Sequence, residues 1–128
     1  PSLISQMLEC QRPQTTLGTQ KWDWLHVDDV SRGLITAAVT PTASGIFNLG
    51  SGVPVEVRRA VELIRDAAAP GMELVFGEIP FRSDQVMHME ADISRLKAAT
   101  GWEPQVPFES GIADTVNWYR AQMKDRAA

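Results

Sequence analysis

Arg82-Ser83-Asp84 sets a guanidinium and a carboxylate two residues apart in the one long stretch of this chain that has no hydrophobic period. An Arg in such a loop can form two parallel hydrogen bonds to a phosphate, and a nearby Asp can accept from a sugar hydroxyl. A surface ion pair within the loop explains the same two residues equally well. Trp22 and Trp24 alternate with Asp23, so in an extended segment their rings share one face. If that face is open, a sugar or base can stack on it; if it is closed, the rings are core.

The remaining chemistry-bearing residues have simpler readings. Gly50-Ser51-Gly52 lies between an apolar stretch and a helical pattern, where a dinucleotide-binding loop would sit. Val55 stands where the third glycine belongs and Pro54 restricts the turn, so a plain backbone turn is expected. Asp28 and Asp29 are adjacent carboxylates at a helix start, and capping accounts for them better than acid–base chemistry. His26 reads as packed or half-buried and His88 as a core-edge residue. With Cys10 they make no metal-ligand spacing. Cys10 is the single cysteine, expected as a small core residue. It allows no internal disulfide and suits a reducing cytoplasm.

Short elements must hold these residues in place. Apolar i, i+4 spacing predicts helices over 2–9, 29–39 and 57–68, the second with Val30, Leu34 and Ala37/Ala38 on its inner face. Asp92 is placed to cap a fourth helix, which Gly101 stops in the left-handed conformation with Trp102 following. Ile112, Val116, Tyr119 and Met123 mark a last helix over 108–126. Trp102 and Trp118 both have helix-packing explanations. Strands are expected at 15–17, 22–27, 46–49 and 73–76, and 79–89 as an extended loop. Strands alternating with helices predict an α/β arrangement, a small and mostly parallel sheet with about five helices.

Composition bounds the function. The 128 residues carry 12 Lys+Arg against 16 Asp+Glu, a formal net charge of -4, and a nucleic-acid module needs a positive field instead. No apolar run approaches the roughly 18 residues that cross a membrane. The length fits one domain with one core. The chain opens at Pro1, not Met, directly into an apolar-periodic segment, and reads as a piece of something longer or a trimmed chain.

Five stretches, in order, resemble the carboxyl-terminal half of the NAD-dependent nucleotide-sugar epimerases and dehydratases, the extended short-chain dehydrogenase/reductase family. They are Trp22-Asp23-Trp24-Leu25-His26-Val27-Asp28-Asp29-Val30, Phe47-Asn48-Leu49-Gly50-Ser51-Gly52, Arg82-Ser83-Asp84, the run from Ala91-Asp92-Ile93-Ser94 through Gly101-Trp102-Glu103-Pro104, and Phe108-Glu109-Ser110-Gly111-Ile112 through Trp118-Tyr119. Together they cover almost the whole chain.

The resemblance implies a part of such an enzyme, residues 1–128 as its substrate-binding C-terminal portion. The family's other half supplies the Rossmann sheet, the NAD or NADP site and a Tyr-x-x-x-Lys pair. Here Tyr119 is the only tyrosine and Met123 stands four residues on, so neither a catalytic nor a cofactor-binding residue is expected. By resemblance Arg82 holds the diphosphate of a nucleotide-diphosphate-sugar and Asp84 meets the ribose. Trp22 stands where the family carries a second phosphate-binding Arg. Lys21 is adjacent, but as a strand neighbour it points to the opposite face. The expected partners are that sugar nucleotide and the Rossmann half. Without that half, exposed apolar patches predict self-association. The alternative is a stand-alone binding or assembly module with no redox role.

Overall fold

Three helices whose apolar residues recur every three or four positions close the core. A computed structural model describes residues 2–127 of the chain. Its elements run α1 (Ser2–Leu8), β1 (Lys21–Asp23), α2 (Val27–Val39), β2 (Pro54–Glu56), α3 (Val57–Ala68), α4 (Ser94–Thr100) and α5 (Phe108–Ala127). Ile4 and Met7 of α1, Val61 and Ile64 of α3, and Val116 of α5 form one buried cluster, with Ile112 and Tyr119 packed against it. Each large aliphatic side chain buried there contributes about 1.5–3 kcal/mol. The apolar spacing read for the third and last helices thus identifies the faces that pack. No helix among the described residues is long and apolar enough to cross a membrane.

A second layer joins α2 to α4 through Gly33. A Cβ built there would lie 2.6 Å from Leu49 Cδ1 and 3.1 Å from the buried Trp102 ring, so the helix and the indole approach as closely as they do because the residue is glycine. This turns α2 away from the expected register. Val30, Gly33 and Ala37 face inward, whereas Leu34 is 61% exposed and Ile35 and Val39 point out beside it.

The expected α/β class holds, with five helices among the described residues, but the sheet is smaller than expected and its one ladder is antiparallel. β1 pairs β2 with Lys21 opposite Glu56, Trp22 opposite Val55 and Asp23 opposite Pro54. Among the described residues parallel pairing is confined to two isolated bridges, Thr15 with Phe76 and Lys21 with His88. Residues 46–49 carry no strand assignment. The expected strand over 22–27 ends at Asp23, because His26 turns the chain into α2: its Nδ1 accepts the Asp28 N–H at 3.3 Å. His26, not Asp28, is therefore the N-cap. At α4 the shift is similar. Asp92 accepts the Ser94 N–H at 2.9 Å, one residue ahead of the N-cap Ile93. Gly101 ends α4 at φ 73°, as the sequence requires.

Other expectations change with exposure. Cys10 is exposed at φ 59°, beyond the end of α1, and is not a core residue. His88 is exposed and sits 3.0 Å from Glu90. Trp118 is 58% exposed, packed edge-on against Tyr119 with ring centroids 5.0 Å apart, and not buried between helices.

Candidate functional site

β1 is the axis of the site, because both of its edges are used. One edge carries β2. On the other, Lys21 donates its N–H to Met87 O and accepts from Met89 N–H, both at 2.9 Å. Consecutive peptides of an extended strand bond in opposite directions, so this contact lays the long aperiodic loop along β1. The turn at the loop's far end is closed by Gln85 N–H to Arg82 O at 3.1 Å. The Trp22 indole N–H donates to Val86 O at 3.1 Å and holds the same turn from the side.

The result is an open groove of about 300 Å³ lined by Trp22, Arg82, Asp84, Gln85, Val86 and Met89. Three of the four expected binding residues, Trp22, Arg82 and Asp84, meet here although two of them lie some sixty positions from the third. Lys21 does not line the groove, consistent with its place on the other face of the strand. Inside the groove Arg82 is not free. Its Nε and one terminal nitrogen donate to the two carboxylate oxygens of Asp84 at 3.0 and 2.9 Å. Both side chains are largely exposed, 80% and 68%, so the pair is solvated and easily parted. The groove therefore offers an aromatic wall and one forked cation, the elements needed to face a ring and an anion.

Trp22 and Trp24 share a face as expected, with ring centroids 6.0 Å apart, and Phe108 lies 6.0 Å beyond Trp24. Trp24 is fixed by its indole N–H to Val55 O at 3.2 Å. Behind these rings lies a second, apolar cavity of about 420 Å³ between α1, α3 and α5, reached also by His26 and Ile4. The platform is thus half open: Trp22 borders the outer groove, and both rings line the inner cavity.

Two carboxylates that shape this region have roles the sequence does not display. Asp23, on the opposite face from Trp22, accepts backbone N–H groups of Ser51 at 2.5 Å and of Gly52 and Ala91 at 3.0 Å. Burial pushes its carboxyl up, but these hydrogen bonds outweigh burial and hold it below the usual Asp range. Asp29 is fully buried and accepts the N–H groups of Gln105 and Val106, both at 2.9 Å, with Arg32 beside it. It ties the loop before α5 to α2 and is no helix cap.

The Gly50–Gly52 turn is, as expected, structural. The amides a phosphate would approach are already bonded to Asp23, and a Cβ on Gly50 would meet Asp23 Oδ2 at 2.7 Å. The residues of this turn do not fit the phosphates of a nicotinamide dinucleotide. Among the described residues no three His, Cys, Asp or Glu side chains gather into a metal-ligating group.

Residues 1–50 match the sequence pattern of the NAD-dependent epimerase/dehydratase family. The chain is related to that family. A UDP-glucuronate 4-epimerase from Thermodesulfobacterium geofontis is 32% identical over 84% of this chain, which spans 32% of that protein. An epimerase from Methanothermobacter thermautotrophicus superposes with a TM-score of 0.87 at 28% identity, over 97% of this chain and 37% of that one. A UDP-glucose 4-epimerase from Thermotoga maritima, solved with UDP-glucose, gives 0.82 at 27% identity, over 95% of this chain and 39% of that one. The chain thus spans about a third of the length of these epimerase/dehydratase relatives. Over that third the backbone of this chain superposes on these epimerases.

Proposed function

We propose that residues 1–128 are the substrate-holding C-terminal portion of an NAD(P)-dependent sugar-nucleotide epimerase or dehydratase. The portion grips a nucleotide-diphosphate-sugar and leaves hydride and proton transfer to a Rossmann portion that carries NAD or NADP. The observation that carries this reading is the meeting of Trp22 and Arg82 on one open groove. Arg82 takes the diphosphate through its forked N–H groups, and Trp22 walls the groove beside it. Asp84 borders the cation, and Lys21 stays on the outer face. That a relative of known structure was solved with UDP-glucose supports this class of ligand.

The Rossmann portion has a place to dock. Leu34, Ile35 and Val39 of α2 form an apolar surface, each of them more than 60% exposed. A sheet laid against that surface removes it from water. The same surface favours a second reading, a stand-alone module in the cytoplasm that self-associates and has no redox role. Titration of UDP-glucose into the chain tests the first. Binding is expected to weaken by roughly tenfold or more in Arg82→Ala, since a hydrogen bond to a charged group contributes about 1.5–3 kcal/mol. Epimerase or dehydratase turnover is expected only when the Rossmann portion is supplied. Unchanged affinity in Arg82→Ala removes the groove from the site, and turnover by this chain alone refutes the division of labour.

A further inference from the structure

The Arg82–Asp84 contact has the geometry of a filled anion site. Two guanidinium N–H groups meet two carboxylate oxygens in parallel, at 3.0 and 2.9 Å, as they would meet an anionic ligand. Both groups line the groove, and neither is buried. We infer that Asp84 is an internal stand-in for the ligand's anion, which an incoming diphosphate must displace from Arg82; the inference rests on the groove reading above.

The competition follows from tethering. Asp84 lies two residues from Arg82 and acts at an effective concentration on the order of millimolar or above. A free carboxylate offers the same two oxygens and the same single charge, so it gains nothing by exchange until it exceeds that concentration. A diphosphate brings more charge and more acceptor oxygens to the same fork and wins the exchange. No second cation in the groove lining shares the load: beside Arg82 and Asp84 stand Trp22, Gln85, Val86 and Met89. Asp84 therefore raises the concentration at which any anion enters, by the same factor for each.

Calorimetric titration with UDP and with acetate separates the outcomes, using the 128-residue chain and the variants Asp84→Asn, Arg82→Ala and the double variant. Far-UV circular dichroism verifies that each is folded. UDP is expected to bind Asp84→Asn roughly 2- to 5-fold more tightly than the parent chain, the range set by an exposed ion pair. The double variant is expected to match Arg82→Ala, and acetate, which meets the same internal competitor, to gain in Asp84→Asn by the same factor as UDP. Weaker UDP binding by Asp84→Asn, as a direct contact to a sugar hydroxyl would give, overturns the inference. Equal tightening with and without Arg82 overturns it too, because the effect would then come from net charge. UDP binding that needs Arg82 but ignores Asp84 removes this inference and leaves the groove. Failure of UDP to bind any variant removes both.

Discussion

The side chain of Asp23 and the backbone of Ala91, sixty-eight positions apart, are joined by a hydrogen bond of 3.0 Å from the Ala91 N–H to Oδ2. The same carboxylate takes the Ser51 and Gly52 amides, so one residue of β1 fixes both the 50–52 turn and the end of the groove loop. Asp23→Ala leaves three amide donors without their acceptor and is expected to cost roughly 2–3 kcal/mol. Chemical denaturation measures this, and a loss under about 0.5 kcal/mol, the usual surface value, would contradict the clamp.

The same carboxyl gives a pH dependence with a defined sign. Its folded-state value lies below the ordinary one, so its contribution is complete above the unfolded Asp value of about 3.9 and is lost as pH falls through the lowered folded value. Stability of the parent chain is expected to drop more steeply in that acid window than stability of Asp23→Asn, which cannot titrate. Parallel slopes in denaturation series between pH 5 and about 2.5 would mean that other carboxylates carry the acid limb.

These contacts show what the sequence could and could not display. The faces of α3 and α5 were legible because one amphipathic period dictates them, and Arg82 with Asp84 because a fork and a carboxylate two residues apart are recognisable as side chains. Asp23 and Asp29 were not, because their partners are backbone amides, which every residue carries. β2 was hidden by its length of three residues and by Pro54 at its start. The inner face of α2 was misread because Leu34 outranks glycine in any hydrophobic pattern. The space that Gly33 leaves for Trp102 turns the helix the other way.

That close approach is itself testable. Gly33→Val adds a branched side chain where a first carbon already lies 2.6 Å from Leu49 and 3.1 Å from Trp102. Overpacking of this kind costs about 1–3 kcal/mol, and it acts on a tryptophan only 5% exposed. The expected result is a lower midpoint of unfolding together with a red-shifted Trp emission as the Trp102 ring gains contact with water. Unchanged midpoint and emission would show that α2 and Trp102 are free to separate.

Asp29 carries a larger load, because it is fully buried and faces Arg32 and the amides of Gln105 and Val106. Asp29→Ala strands the two amides, while Arg32, whose side chain is 37% exposed, turns to water. Each amide left without its acceptor costs about 1–3 kcal/mol, a large part of the stability of a domain this small. Asp29→Asn keeps the shape and one acceptor oxygen, and is expected to recover part of the loss. If the two variants unfold at the same denaturant concentration, the charge and the second oxygen contribute nothing and the tether between α2 and the loop before α5 lies elsewhere.

The outward face of α2 predicts how the chain behaves without a partner. Val27, Leu34, Ile35 and Val39 are 66%, 61%, 63% and 71% exposed, and they recur at the spacing of one helical stripe. Such a stripe is costly in water at about 25 cal/mol per Å², and two copies can cover it from each other. Sedimentation velocity is expected to show concentration-dependent association of the parent chain, and a shift to monomer in the double variant Leu34→Lys, Ile35→Glu. Those positions face solvent, so the monomeric variant is expected to keep its helical signal and its affinity for UDP. A parent chain that sediments as a single monomer at every concentration would mean that the stripe is tolerated in water, and would remove the surface as a docking site for either occupant.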